Sequence, residues 1–207
     1  MPSRHILKED TADSYYHVYI RGGNHLRIFR DDADFEKMLQ LFARYLSLAE
    51  TKNSAGVSFP NYYNKLELLA FSLLPDRIHL LVYQHQKGAM AAFMRSILTS
   101  YSMYFNKQHH RSGPLFASRY KAARISDDTY LEHVGRYIHL TPRNWQEYAY
   151  TSLPYYLQQV SDEWIRPNKM LEHGMGADDY LAFMADHEQY KQMLDILRLE
   201  LANGSEL

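Results

Sequence analysis

Residues 77–83, RIHLLVY, set an arginine and a histidine two positions apart in a run otherwise built for burial. Alternate residues of a strand share a face, so Arg77, His79, Leu81 and Tyr83 line one surface and Ile78, Leu80 and Val82 the other. Farther along, Tyr137 and Thr141 fall one helical turn apart in TYLEHVGRYIHLTP. A helical tyrosine is usually a packing residue. It gains interest beside phosphate-binding or metal-binding groups, because a phenolate can attack phosphorus when the phosphate is polarised. His79 can ligate a metal. Arg77 cannot, since its guanidinium stays protonated, but its fork of donors suits a phosphate.

The elements that must position these residues follow from local patterns. YYHVYIR, residues 15–21, alternates and is rich in β-formers, and Gly22-Gly23-Asn24 supplies a turn. A helix is predicted from Asp31 to about Leu48, with Phe35, Met38, Leu39, Phe42 and Tyr45 at three- and four-residue spacing. Residues 51–64 form a polar loop. LELLAFSLLP and RIHLLVYQ make a hairpin about Pro75-Asp76. Gly88 opens a long helix whose stripe of Met90, Phe93, Met94, Ile97, Leu98, Tyr101, Tyr104 and Phe105 is core, leaving Arg95, Thr99, Ser102 and Asn106 outward. KAARIS is a fourth strand. Asp127 and Asp128 cap a helix that Pro142 stops after Leu140. The order implies an α+β sandwich, an antiparallel sheet with helices packed on it. Residues 1–147 are expected as the core and 148–207 as an acidic, helical C-terminal extension anchored by Trp164, Tyr180, Phe183 and Tyr190.

Composition narrows the class. With no cysteine among 207 residues, disulfides and thiolate metal sites are excluded. The start has no secretory-type apolar core and no stretch reaches the ~20 apolar residues that span a bilayer, so the chain reads as cytoplasmic with no membrane partner. The net charge of -1 conceals a strong segregation: no Asp or Glu occurs between Asp76 and Asp127, an interval holding Arg77, Lys87, Arg95, Lys107, Arg111, Arg119, Lys121 and Arg124. Acid exclusion of that length suits a surface that tracks phosphates, although each base taken singly is an ordinary solvated charge.

LLPDRIHLLV, followed by ILTSYSMYFNKQHHRSGPLFASRYKAARISDDTYLEHVGRYIHLTP, resembles the single-tyrosine transposases of the HUH superfamily, particularly the branch associated with repetitive extragenic palindromes (REP). The likeness runs from about residue 13 to 145 and continues more weakly in YTSLPYYL and WIRPNKML. It implies a ferredoxin-like or RRM-like sheet with flanking helices. It also implies an enzyme that binds hairpin single-stranded DNA and forms a 5'-phosphotyrosine, with Mg²⁺ or Mn²⁺ held by a His-hydrophobe-His pair and a polar residue on the tyrosine helix. Carried over, the nucleophile falls on Tyr137, the second histidine on His79, the first on Arg77, and the polar residue on Thr141, where Asn or Gln is usual. Two of three implied metal ligands are thus replaced, one by a permanent cation that repels a divalent ion. The expectation is Mg²⁺ or Mn²⁺ if the site is active, and a weakened or lost metal site otherwise.

Two substitutes are open. Arg77 can clamp the scissile phosphate itself, or another histidine can complete a displaced site, with His133 one turn before Tyr137 on the same helical face. DNA contacts are expected from Arg77, Arg111, Arg119, Lys121 and Arg124. Three readings compete: a transposase acting through Tyr137, a DNA-binding or regulatory descendant without the chemistry, and a protein-interaction domain. Such enzymes include helix-exchanging dimers and monomers, so a homodimer is open.

Overall fold

In the computed structural model the described residues are 10–126, 128–171 and 176–186, so Asp127 and Tyr190 lie outside them. Strand β1 (Ser14–Arg21) leads to helix α1 (Asp32–Leu46), the hairpin of β2 (Leu66–Leu74) and β3 (Arg77–Gln84), helix α2 (Ala89–Gln108), strand β4 (Lys121–Ile125) and helix α3 (Asp128–Leu140). The strands form one antiparallel sheet in the order β2-β3-β1-β4. That is the mixed α+β, ferredoxin-like arrangement expected from the sequence, with β1 and β3 central.

Each element has a local cause. Asp31 caps α1 by accepting from the backbone N–H of Asp34 at 3.1 Å. The chain leaves β1 through Gly22, where a Cβ would fall 2.2 Å from the Leu26 carbonyl oxygen, so only glycine permits this close turn. Gly88 caps α2 at φ +83° and its N–H donates to Asp10.

The strand alternation sorts side chains into two layers. Tyr16, Val18, Ile20, Leu68, Phe71, Ile78, Leu80 and Val82 pack with α1 and α2, joined by Tyr101 and Phe105 as expected. Ala70, Leu81 and Ile125 pack with Leu131, Val134 and Ile138 of α3 on the opposite side. Thus α3, which carries Tyr137, covers the face that holds Arg77 and His79.

After Tyr148 come short helices α4 (Leu153–Tyr156), α5 (Asn168–Leu171) and α6 (Ala177–Ala185). The segment closes the outer edge of β2: Leu73 N–H donates to Tyr150 O, Ser152 N–H to Phe71 O, and Arg166 N–H to Leu68 O, at 2.9 to 3.0 Å. Such pairing blocks an edge otherwise open to other strands. Trp164 enters the α1/α2 layer and Tyr180 the α3 layer. Among the described residues no helix is long and apolar enough to cross a membrane.

Candidate active site

Register defines the site. A cross-strand row runs Ser72–His79–Tyr19–Lys121 over all four strands, on the face covered by α3. The adjacent row sets Arg77 opposite Arg21. Diagonally from His79 stands His17, in register with Leu81. His17 Nε2 and His79 Nδ1 approach to 3.2 Å, with the rings stacked at 15°. The Tyr137 ring stands edge-on to both, its centroid 5.8 Å from that of His17 and 5.6 Å from that of His79. Tyr19 closes the other flank of His79 at 4.8 Å.

Both imidazoles are buried, at 3% and 1% exposure, which disfavours their charged forms. Burial pulls the His17 pKa down to about 4. His79 is held well below its usual value, first by burial and then by the neighbouring His17 and the Arg77 charge. Lys121 is lowered by partial burial. Arg21 and Arg77 converge on Asp76: Arg21 donates through Nε at 3.1 Å and Nη2 at 2.9 Å, and Arg77 Nη1 lies 3.5 Å from the second carboxylate oxygen. The site is therefore a neutral imidazole pair rimmed by cations, beneath a half-buried tyrosine.

The structure sorts the expected residues. It brings Tyr137 and His79 together, with Arg77 and Lys121 on the same sheet face. Thr141 turns back on its own helix, its hydroxyl donating to the Tyr137 carbonyl at 2.8 Å. His133 packs against Phe183 at 5.4 Å and does not complete the pair. Arg111 bonds Asn106 and lies over Phe105, in the α1/α2 layer. Arg124 is in register with Tyr16 and so shares that opposite face, while Arg119 is exposed just before β4. The missed residue is His17. Its signal was a polar ring in an alternating strand, but only the β1–β3 register shows that it meets His79.

These residues do not fit a divalent metal at the implied position. His79 keeps an unused Nε2, but Arg77 adds a charge of the wrong sign and the Thr141 hydroxyl donates to backbone, so two of the three implied ligands are missing. Mg²⁺ wants oxygen ligands, usually with a carboxylate. Among the described residues the acid–histidine group of metal-holding shape is Asp31, Asp34 and His109, away from this pair. There Asp34 pairs with His109 at 2.9 Å and accepts from Arg30 N–H, tying the end of α2 to the start of α1.

Residues 60–141 match the family model described as IS200-like transposase. Among solved structures, a REP-associated tyrosine transposase bound to a REP hairpin is similar in fold, with a TM-score of 0.54 and 9% identity, over 77% of this chain and 89% of that one. A protein of Deinococcus radiodurans R1 assigned as a transposase gives a TM-score of 0.40 and 17% identity, over 59% of this chain and 87% of its own. No curated protein sequence matches.

Proposed function

We propose that this chain binds hairpin-bearing single-stranded DNA on its α3 face and cleaves and rejoins it through Tyr137. The observation that carries the reading is Tyr137 standing edge-on to the His17–His79 pair, beside Arg77, Arg21 and Lys121. The Tyr137 oxygen bonds to phosphorus, the bond from phosphorus to the 3'-oxygen breaks, and the 3'-oxygen takes up the proton that Tyr137 gives up. A 5'-phosphotyrosine and a free 3'-hydroxyl result, and the reverse step rejoins the strand. In the absence of a fitting metal, Arg77 takes the electrostatic role, since guanidinium donors match phosphate oxygens. The hairpin substrate is supported by the REP hairpin bound to the similar transposase.

A second reading is favoured by Arg77 leaning on Asp76 and Thr141 back-bonding its helix: a descendant that binds the DNA without cutting it. A labelled hairpin oligonucleotide, run on a denaturing gel with Mn²⁺ or with EDTA, separates the two. The expected outcome is a covalent adduct that persists in EDTA and vanishes in Tyr137→Phe. An adduct strictly dependent on Mn²⁺ would show that metal enters despite Arg77. No adduct in the native chain but one in Arg77→His would establish the binding-only reading.

A further inference from the structure

His17 lies outside the residues that the family resemblance assigns, yet it touches the histidine at the centre of the site. Diagonal neighbours across an antiparallel pair are within reach of each other when their side chains are long. His17 and His79 use that reach, meeting nitrogen to nitrogen at 3.2 Å with both rings buried. Burial keeps both imidazoles neutral. Each ring then carries one N–H, and of the two facing nitrogens one donates and the other accepts.

The far nitrogen decides which. His79 Nε2 is buried and has no hydrogen-bond partner among the described residues. Were it protonated it would be an orphaned buried N–H, the rarer of the unsatisfied backbone or side-chain states, whereas unprotonated it is only an unused lone pair. The favoured arrangement therefore has His79 Nδ1–H donating to His17 Nε2, which leaves the lone pair on His79 Nε2. In a ring standing off the sheet, Nε2 is farther from the strand than Nδ1. It extends into the layer where the Tyr137 ring lies, 5.6 Å from the imidazole centroid to centroid.

We infer that His17 is a positioning residue: by accepting the Nδ1 proton it fixes His79 in the tautomer whose Nε2 accepts a hydrogen bond from a hydroxyl. That hydroxyl is Tyr137's before cleavage and the DNA 3'-hydroxyl after it. Arg21, Arg77 and Lys121 offer donors only, so they hold phosphate oxygens and leave the hydroxyl proton to His79. The hydrogen bond made by one imidazole nitrogen sets the role of the other, and such supporting partners typically change activity by 10–100-fold when removed. The inference rests on Tyr137 as nucleophile.

Nitrogen NMR of the histidine-labelled full chain near pH 7 tests it, alongside the adduct assay. The native protein should show His79 protonated on Nδ1 alone. In His17→Phe, which fills the space without a nitrogen, His79 should lose that single tautomer and adduct formation should fall by about 10- to 100-fold. His17→Gln, whose amide oxygen can accept the same proton, should recover much of both. A native His79 protonated on Nε2 overturns the inference even if neither variant folds. So does an unchanged tautomer or an undiminished adduct in a folded His17→Phe protein. A native chain with the expected tautomer but no adduct overturns the nucleophile instead and leaves the hold of His17 on His79 standing.

Discussion

The two faces of the sheet use the same strands for opposite ends. Toward α1 and α2, alternate residues are apolar almost without interruption, from Tyr16, Val18 and Ile20 to Ile78, Leu80 and Val82. Toward α3 the intervening positions supply His17, Tyr19 and Arg21 on β1 and Arg77 and His79 on β3, with Leu81 and Ala70 as apolar flooring. The first face holds the sheet together. The second gives up part of that burial to keep polar groups within reach of one tyrosine, and His79 Nε2 and Ser72 Oγ, which have no hydrogen-bond partner among the described residues, are where the cost is visible. On the proposed function, strand parity separates substrate chemistry from structural strength.

Acid should break the comparison most strongly, because the buried imidazoles His17, His79 and His139 all stand on the α3 side. His139 has its pKa pulled down by burial to about 3 and is bonded at 2.7 Å to both Tyr180 and Ser152, linking α3, α6 and the closing segment. For a base whose folded pKa is depressed, the unfolded chain binds more protons between the two values, so stability is fully present above about 6.5 and falls as pH drops. The window runs from about 6.5 to about 4 for His17 and about 3 for His139. Each group removes about 1.4 kcal/mol per pH unit within its window. Urea unfolding at pH 7 and pH 5 should show the loss, with tyrosine and histidine signals of the α3 layer disturbed before those of the α1/α2 layer. Equal stability at the two values would mean that the imidazoles are not buried as neutral groups.

Breaking the other face is a matter of volume. Phe71 is 1% exposed and packs against Phe42 and Trp164 at ring distances of 5.6 and 5.9 Å. Phe71→Ala should cost about 3–5 kcal/mol, read from the urea midpoint, while leaving the geometry of the Tyr137 site in the molecules that remain folded. A selective loss of DNA cleavage without loss of stability would contradict the division of labour.

Much of this was legible in sequence because it is local. The Pro75-Asp76 turn, the alternation of β3 and the apolar stripe of α2 each depend on neighbours in the chain, and each expected element is present within a few residues. Arg77 and His79 sharing a face followed from parity alone. What stayed hidden depends on which strands become neighbours. His17 reaches His79 only because β1 lies beside β3 in the sheet. Helical phase, likewise, put His133 on the side of Tyr137, but tertiary packing turns it toward Phe183. The acidic tail read as a helical extension, and its seat on β2 uses backbone pairings together with the side chains of Tyr148, Ser152, Tyr156 and Lys169, partners that no local sequence pattern specifies.

The smallest predicted effect is the sharpest probe of the polar face. Ser72 is fully buried in the row with His79, and its hydroxyl has no hydrogen-bond partner among the described residues. On the apolar face, trimming a buried side chain leaves a cavity. Here the atom removed is itself the uncompensated one, so Ser72→Ala should be neutral or stabilise the protein by up to about 1 kcal/mol. The urea midpoint decides. A destabilisation instead would mean that the hydroxyl is satisfied by a bound water, and the row that Ser72 shares with His79 would then be a hydrated site rather than a dry one.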